Sequence, residues 1–523
     1  MSMDATYETL DKVWKITCKT LLGDEIGELK QYDKWLSEYV EPVKQKKSTV
    51  SGKNVYFAVP YYCEDGKFVS LDEIDFNKRF SPLDINEIKD IDSIADAFRE
   101  RFQYCGNVVL GNSKNIGESS NIQNSHYVYK SDYVYGCEYV AYSSHVKNCK
   151  YVFTTNSDCG SDFLIRCLEG FNGHRSFETW TCFNCSDCYC SFGARGSQNV
   201  MFSFNTDTKS FVIGNLELGK DKFLQIKNKL VEQIRDELED KKYLPSVIDM
   251  ATEPGKKARI ELDFENCDEK KNLETIENVF RKTSKTILGK ELTDLDRYDR
   301  WLTKHIPPVQ KAKSCVSNST LFKSSNYPLS VLPGDRLVKE HEARKIATIT
   351  KLDETDLESF ESIKSSLWKI AFFISEFRLG ENNNVFESAL SNSSVNCCRG
   401  CVYNDSKNSA YCFWPRNSEY MFGSQLTVES SLGIKCYNSL KLSRGFEVDS
   451  CSNCSDIYYS HNCENVQDSM FCFNVKNMRH GIGNAVYALD KYKQTKTAIL
   501  EQIINELEDK KDLKWDIFNI GCE

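Results

Sequence analysis

The chain lacks any run of 18 apolar residues, and residues 1–10 do not read as a secretory leader. Membrane partners are therefore set aside, and a soluble, cytoplasmic protein with reduced thiols is expected. Neither Gly-x-Ser-x-Gly nor His-Glu-x-x-His occurs, and Lys19-Thr20-Leu21-Leu22-Gly23 has the wrong order for a phosphate-binding loop. Positive charge is in deficit: a net charge of −9 excludes bulk wrapping of nucleic acid, which needs many Lys and Arg at phosphates. Histidine is scarce, with seven in 523 residues. The 23 cysteines form an odd count without a leader, which argues against a disulfide framework.

What the chain does have is a beat of six. Every sixth residue from Ser119 to Ser203 is small: Ser119, Ser125, Ser131, Cys137, Ser143, Cys149, Thr155, Ser161, Cys167, Gly173, Thr179, Cys185, Ser191, Ser197 and Ser203. Chance would produce such a column with odds on the order of one in ten million, so it is a structural repeat. Two residues after the small one come Tyr127, Tyr133, Tyr139, His145 and Tyr151, and one further on come Val128, Val134, Val140, Val146 and Val152. Six residues suit one side of a parallel β-solenoid, a short strand and a corner. Adjacent Tyr and Val positions point to opposite faces of a strand, so one column lies inside and the other faces out. An outward ladder is either covered or offered to a partner. If three hexads close a coil, the segment makes roughly five coils, about 20 to 25 Å tall.

The arrangement occurs twice. Residues 9–36 return as 275–302 at an offset of 266, with Gly23, Tyr32 and Trp35 matching Gly289, Tyr298 and Trp301; later the offset is 269, as in Cys182 and Cys451. The fold class is therefore read as mainly β with flanking α-helices, a tandem duplication in which each half is a parallel β-solenoid. Half one comprises a helical and mixed region (1–110), a solenoid (111–217) and a closing helix (218–245). A linker (246–271) precedes the second helical and mixed region (272–380), solenoid (381–487), and closing helix with tail (488–523). Each closing helix is expected to cap an open end of its stack, whose backbone groups are otherwise unpaired. Short helices are expected at 94–102 and 360–377. Two homologous halves would pack most simply about a pseudo-twofold axis, with homo-oligomers a further expectation.

The run Cys182, Cys185, Cys188 and Cys190, like Cys397, Cys398 and Cys401, resembles zinc or iron–sulfur ligand spacing. The repeat supplies another account. Thirteen of the 23 cysteines fall in the small and valine columns, which lie three residues apart and so generate Cys-x-x-Cys wherever both are filled. A reduced cysteine is a compact filler that tolerates burial. No cofactor is expected on this account.

The spacing of small and larger residues resembles that of hexapeptide acyltransferases, a resemblance implying a general-base histidine between subunits. His145 replaces a column Tyr. His174 lies where the beat falters, at residues 170–180, and is expected in a projecting loop, with Arg175 pairing with Glu178 and, in the second half, Arg444 with Glu447. At the end of each repeat, Ile482-Gly483-Asn484-Ala485-Val486-Tyr487, preceded by Lys476-Asn477, resembles the tail of a group of Cys- and Asn-rich β-solenoid proteins of uncultivated bacteria and archaea; Ile213-Gly214-Asn215 is a weaker copy. That resemblance implies an architecture and no activity. The function expected is a non-enzymatic scaffold or assembly protein that binds a macromolecule or itself. Its candidate interaction residues are Tyr127, Tyr133, Tyr139, Tyr151, His174, Arg175, Glu178, Arg444 and Glu447. The alternative is a metal-binding protein, with the four cysteines at 182–190 as ligands, or a hexapeptide-type transferase.

Overall fold

A computed structural model describes the chain apart from residues 1–2, 84–89, 253–254, 257–259, 261, 267–270, 326–328 and 523, so part of the expected linker lies outside the described residues. The fold is mainly strands with flanking helices. Most strands are short, and those of two long stacks pair in parallel with the strand 12 residues on. Thus Lys114, His126, Glu138, Lys150, Asp162, His174, Ser186, Gln198 and Ser210 succeed one another up a first stack. A second stack climbs in the same way through Asn383, Val395, Lys407, Glu419, Ser431, Ser443 and Ser455. Two hexads, not three, therefore close a turn, and the first stack stands about 40 Å tall rather than 20 to 25 Å.

Within each turn the backbone has a shorter period of three. Tyr127, Lys130, Tyr133 and Gly136 all have positive φ, as do the corresponding residues in later turns, so each turn has four corners. The residue after each corner points inward. Val128, Val134, Val140 and Val146 are fully buried inside, and the Tyr column lies outside, which settles which column faces which way. Left-handed Tyr and Lys cost conformational energy that an isolated chain would not bear. Here the paired strands above and below fix the backbone.

The small column does more than fit. Ser143 Oγ donates to Ala141 O at 2.9 Å and accepts the N–H of Thr155, one turn on, at 3.0 Å. Ser131 does the same with Tyr129 O and the N–H of Ser143, and Cys137 uses its sulfur toward Tyr135 O and the N–H of Cys149. At most positions the column thus holds a small side chain that both donates and accepts, Gly173 being an exception. Its hydrogen bonds satisfy corner amides that the strand ladder leaves over.

Helices flank the stacks. Met3–Leu22 and Leu273–Leu288 lie along one side of their stacks, each ended by a left-handed glycine, Gly23 or Gly289. Trp14 packs on Phe153, and Phe280 on Phe422. The expected helix at 94–102 is found as Ile91–Phe98, whereas that at 360–377 covers only Phe360–Ser366 before the chain becomes extended at Phe373–Ile374. The closing helices Lys220–Lys241 and Leu489–Lys510 do not cap the stacks. The first runs back beside the entry helix, where Lys227 lies over Tyr189 and Trp35 Nε1 donates to Leu244 O just beyond its end. Each stack instead ends in a tight hairpin whose turn is Gly214-Asn215 or Gly483-Asn484, both residues left-handed. The Asn484 side chain pairs with both the N–H and the C=O of Phe473, replacing the turn that never comes.

The mixed regions are exchanged. One core combines the first helices and first stack with Leu321, Leu337, Ile346, Phe360 and Phe373 of the second mixed region; the other combines the second stack with Val55, Phe68, Ile94, Phe98 and Tyr104 of the first. The docking contacts match in pairs: Asn205 Nδ2 donates to Phe372 O at 2.8 Å, and Asn474 Nδ2 to Gln103 O at 2.7 Å. Gly214 leaves room for Leu352 and Gly483 for Phe98; a Cβ at either would come within 2.6 Å of the partner ring or side chain. The compact units therefore cross the boundaries expected from the sequence. The two stacks lie side by side and run in opposite directions: Tyr133 meets Asn438, and His145, one turn on, meets Trp414, two turns back.

Candidate functional site

Two sides of the first stack are covered, one by its helices and one by the second stack. On a third side, corners 12 residues apart align Tyr127, Tyr139, Tyr151 and Phe163 into one column of parallel rings, with centroids 5.2, 5.3 and 4.5 Å apart and tilts of 12 to 18°. All four rings are half-buried. Beside them Glu138 pairs with Lys150 at 3.0 Å and Asp162 with His174 Nδ1 at 2.9 Å. The column continues upward as Arg175, which binds Asp187 through two bonds of 3.0 and 2.7 Å. The face is a rigid strip, aromatic below and ionic above.

Tyr133 does not belong to it. It is 8% exposed, stacks on His145 at 4.6 Å, and donates to Asn438 Oδ1 at 2.6 Å, inside the contact between stacks. His145 lies against Trp414 in the same contact, and burial drives its pKa down to about 3, so it sits there neutral.

His174 is not in a projecting loop. Residues 170–180 keep the 12-residue register, with His174–Trp180 a strand. The expected Arg175–Glu178 and Arg444–Glu447 pairs are also replaced, because charge partners here stand one turn apart rather than three residues apart. Arg175 pairs with Asp187, and Arg444 with Asp456 at 2.6 Å. Glu178 and Glu447 are wholly buried and unavailable to a partner. Glu178 takes Arg166 Nε at 2.7 Å, Trp180 Nε1 at 2.9 Å and the N–H of Val247 at 3.0 Å, while Arg166 NH1 donates to Trp35 O. In the second half, Lys435 Nζ donates to Trp301 O at 2.9 Å and stands 3.8 Å from Glu447, which takes the N–H of Ile517. Each buried pair ties an entry helix and an exit segment to its stack.

All thirteen column cysteines are buried. Each also directs its sulfur at the carbonyl two residues earlier, as the serines do: Cys182 at Trp180 O, Cys185 at Phe183 O and Cys188 at Ser186 O, for example, at 3.3 to 3.5 Å. Cys190 is a corner residue on the outside, packed in the flanking core, so the four sulfurs of the 182–190 run do not converge. Cys397 points inward, while Cys398 lies in the flanking core and Cys401 donates to Pro307 O. Among the described residues, the group whose ligand atoms lie within 4.8 Å of one another is Cys63, Asp65 and Cys522. Sequence reasoning passed over it, since 459 residues separate the two cysteines.

It also passed over His461. This imidazole accepts the N–H of Cys105 at Nε2 (2.8 Å), so its proton is on Nδ1 and faces Asp449 at 2.8 Å; Tyr62 donates to the same carboxylate at 2.6 Å. Cysteine, histidine and aspartate are the residue types of a nucleophile and its base. Here the base is spent on a backbone amide. The Cys105 thiol turns instead toward Gly106 O, and burial raises its pKa well above the ordinary thiol value. The network fastens the exchanged region to the second stack. Inside the first stack, the cavity beside Asp158, Gly170 and Cys182 measures about 10 Å³, room for about one water. No helix among the described residues is long and apolar enough to cross a membrane.

No protein-family model, curated protein or solved structure matches the chain.

Proposed function

We propose that the chain is a tandem duplication of a β-solenoid unit and that it works as a structural assembly protein, using its aromatic strip to join a second copy of itself. The shared 12-residue register and the docking contacts repeated at an offset of 269 support the duplication. The observation that carries the functional reading is the ring column Tyr127, Tyr139, Tyr151 and Phe163. Its rings are held by the backbone at a pitch of about 5 Å, so little side-chain entropy remains to be lost on contact. A second copy carries the same pitch, and two such ladders match in register along their whole length. The flanking Glu138–Lys150 and Arg175–Asp187 pairs supply charge of both signs to fix that register.

Sedimentation velocity over a range of concentrations tests this. The wild-type chain is expected to associate as concentration rises, while Tyr139→Ser with Tyr151→Ser keeps its circular dichroism spectrum and stays monomeric. Equal behaviour of the two, whether monomeric or associated, contradicts the assignment.

A further inference from the structure

We propose that Cys63 and Cys522 form a reversible cross-link, made by thiol–disulfide exchange with a low-molecular-weight disulfide, that locks residues 513–522 across both halves of the molecule. The inference is independent of the functional reading above.

The two Cα atoms lie 6.5 Å apart, within the span a disulfide bridges. Both sides are anchored separately. Asp516 is held by Lys304 at 2.8 Å and His305 at 2.9 Å, and the N–H of Ile517 by the buried Glu447 of the second stack. On the opposite side, the exchanged region reaches the same segment. Tyr104 donates to Ile517 O at 3.0 Å, and the N–H of Cys63 donates to Phe518 O at 3.2 Å. The Phe518 ring packs on Tyr61, Tyr62, His305 and Tyr437, so the segment is gripped by parts of both halves. The corresponding segment of the first half, residues 243–252, contains no cysteine and has Thr252 opposite Cys522, so only one of the two exchanged regions is locked.

Cys63 is half-buried and Cys522 is buried, which sets the order of the exchange. The Cys63 thiolate attacks the reagent disulfide, forming a mixed disulfide and releasing one reagent thiolate. The Cys522 thiolate then attacks the Cys63 sulfur and displaces the second. Two protein thiols are oxidised, the reagent is reduced to two thiols, and the two protons from the protein go to those thiols. Excess reagent thiol runs the sequence backwards.

The full chain is equilibrated with glutathione disulfide, unfolded in an alkylating denaturant without reductant, and mapped by peptide mass spectrometry. Cys63 and Cys522 are expected in one cross-linked species. After millimolar reduced glutathione both are expected alkylated, with thermal unfolding lowered by roughly 3 to 6 °C. Cys522→Ser is expected to show no such response to the reductant. Alkylation of both thiols after the disulfide treatment overturns the proposal, as does one zinc per chain with both thiols free. An equal loss of stability in Cys522→Ser on reduction overturns the locking role. Should that variant fail to fold, protease cleavage within residues 513–522 of the wild-type chain decides: faster cleavage after reduction supports the lock, and unchanged cleavage overturns it.

Discussion

Arg166 Nε donates to Glu178 Oε2 at 2.7 Å across one turn of the first stack, with both side chains wholly buried. Removing one partner of such a pair strands the other charge away from water. Arg166→Met is therefore expected to destabilise the chain by about 3 to 5 kcal/mol, measured by denaturant unfolding. Arg166→Lys reproduces the arrangement that Lys435 makes with Glu447 and is expected to be much milder. Equal losses in the two variants would show that the charge pair is not what matters there.

Ser143 tests the hydrogen bonds of the small column. Ser143→Ala removes the donor to Ala141 O and the acceptor of the Thr155 N–H, leaving a buried amide without a partner. A loss of about 1 to 3 kcal/mol is expected. Ser143→Cys keeps both contacts in the manner of Cys137 and is expected to cost about 1 kcal/mol or less. If alanine and cysteine prove equally tolerated, the column selects for size alone.

Asp158 points into the first stack, between Val146 and Gly170, and burial raises its pKa to about 7. Its folded pKa exceeds the unfolded value of 3.8, so the folded state binds more protons between the two values. Stability from this group therefore falls as pH rises from about 4 to about 7 and stays low above that. Asp158→Asn, which still accepts from Ser161, is expected to gain stability over wild type as pH rises from 5 to 8, by about 1 to 3 kcal/mol across that interval. Unfolding curves at the two pH values check this; a difference from wild type that is the same at both would refute it.

The small and valine columns were legible because the interior imposes them over most of each stack, although Leu442 and Val448 stand in the small column of the second stack and Asp158 and Gly170 in the valine column of the first. The number of hexads per turn was not, because a column repeating every six residues is compatible with two or three. The twelve-residue signal was present in a different place, in rungs such as Glu138, Lys150, Asp162 and His174, where charges of opposite sign meet only at that spacing. Reading Arg175 with Glu178 failed for the same reason. Partners in this fold stand one turn apart, as do Arg166 and Glu178 or Arg444 and Asp456. The docking of each mixed region on the other stack left no trace in the sequence, because Asn205 and Asn474 make the same kind of contact, to Phe372 O and Gln103 O. His461 was opaque because its partners, Cys105 and Asp449, come from different halves.

The residues resembling a metal or catalytic centre are spent on holding the stacks together, and the half-buried ring strip is proposed to join copies of the chain. Native mass spectrometry of the purified chain tests both in one spectrum. The mass of the polypeptide alone, without metal or small ligand, is expected in assemblies of more than one copy. Stoichiometric zinc, an iron–sulfur cluster or a retained small molecule on a single chain would contradict both.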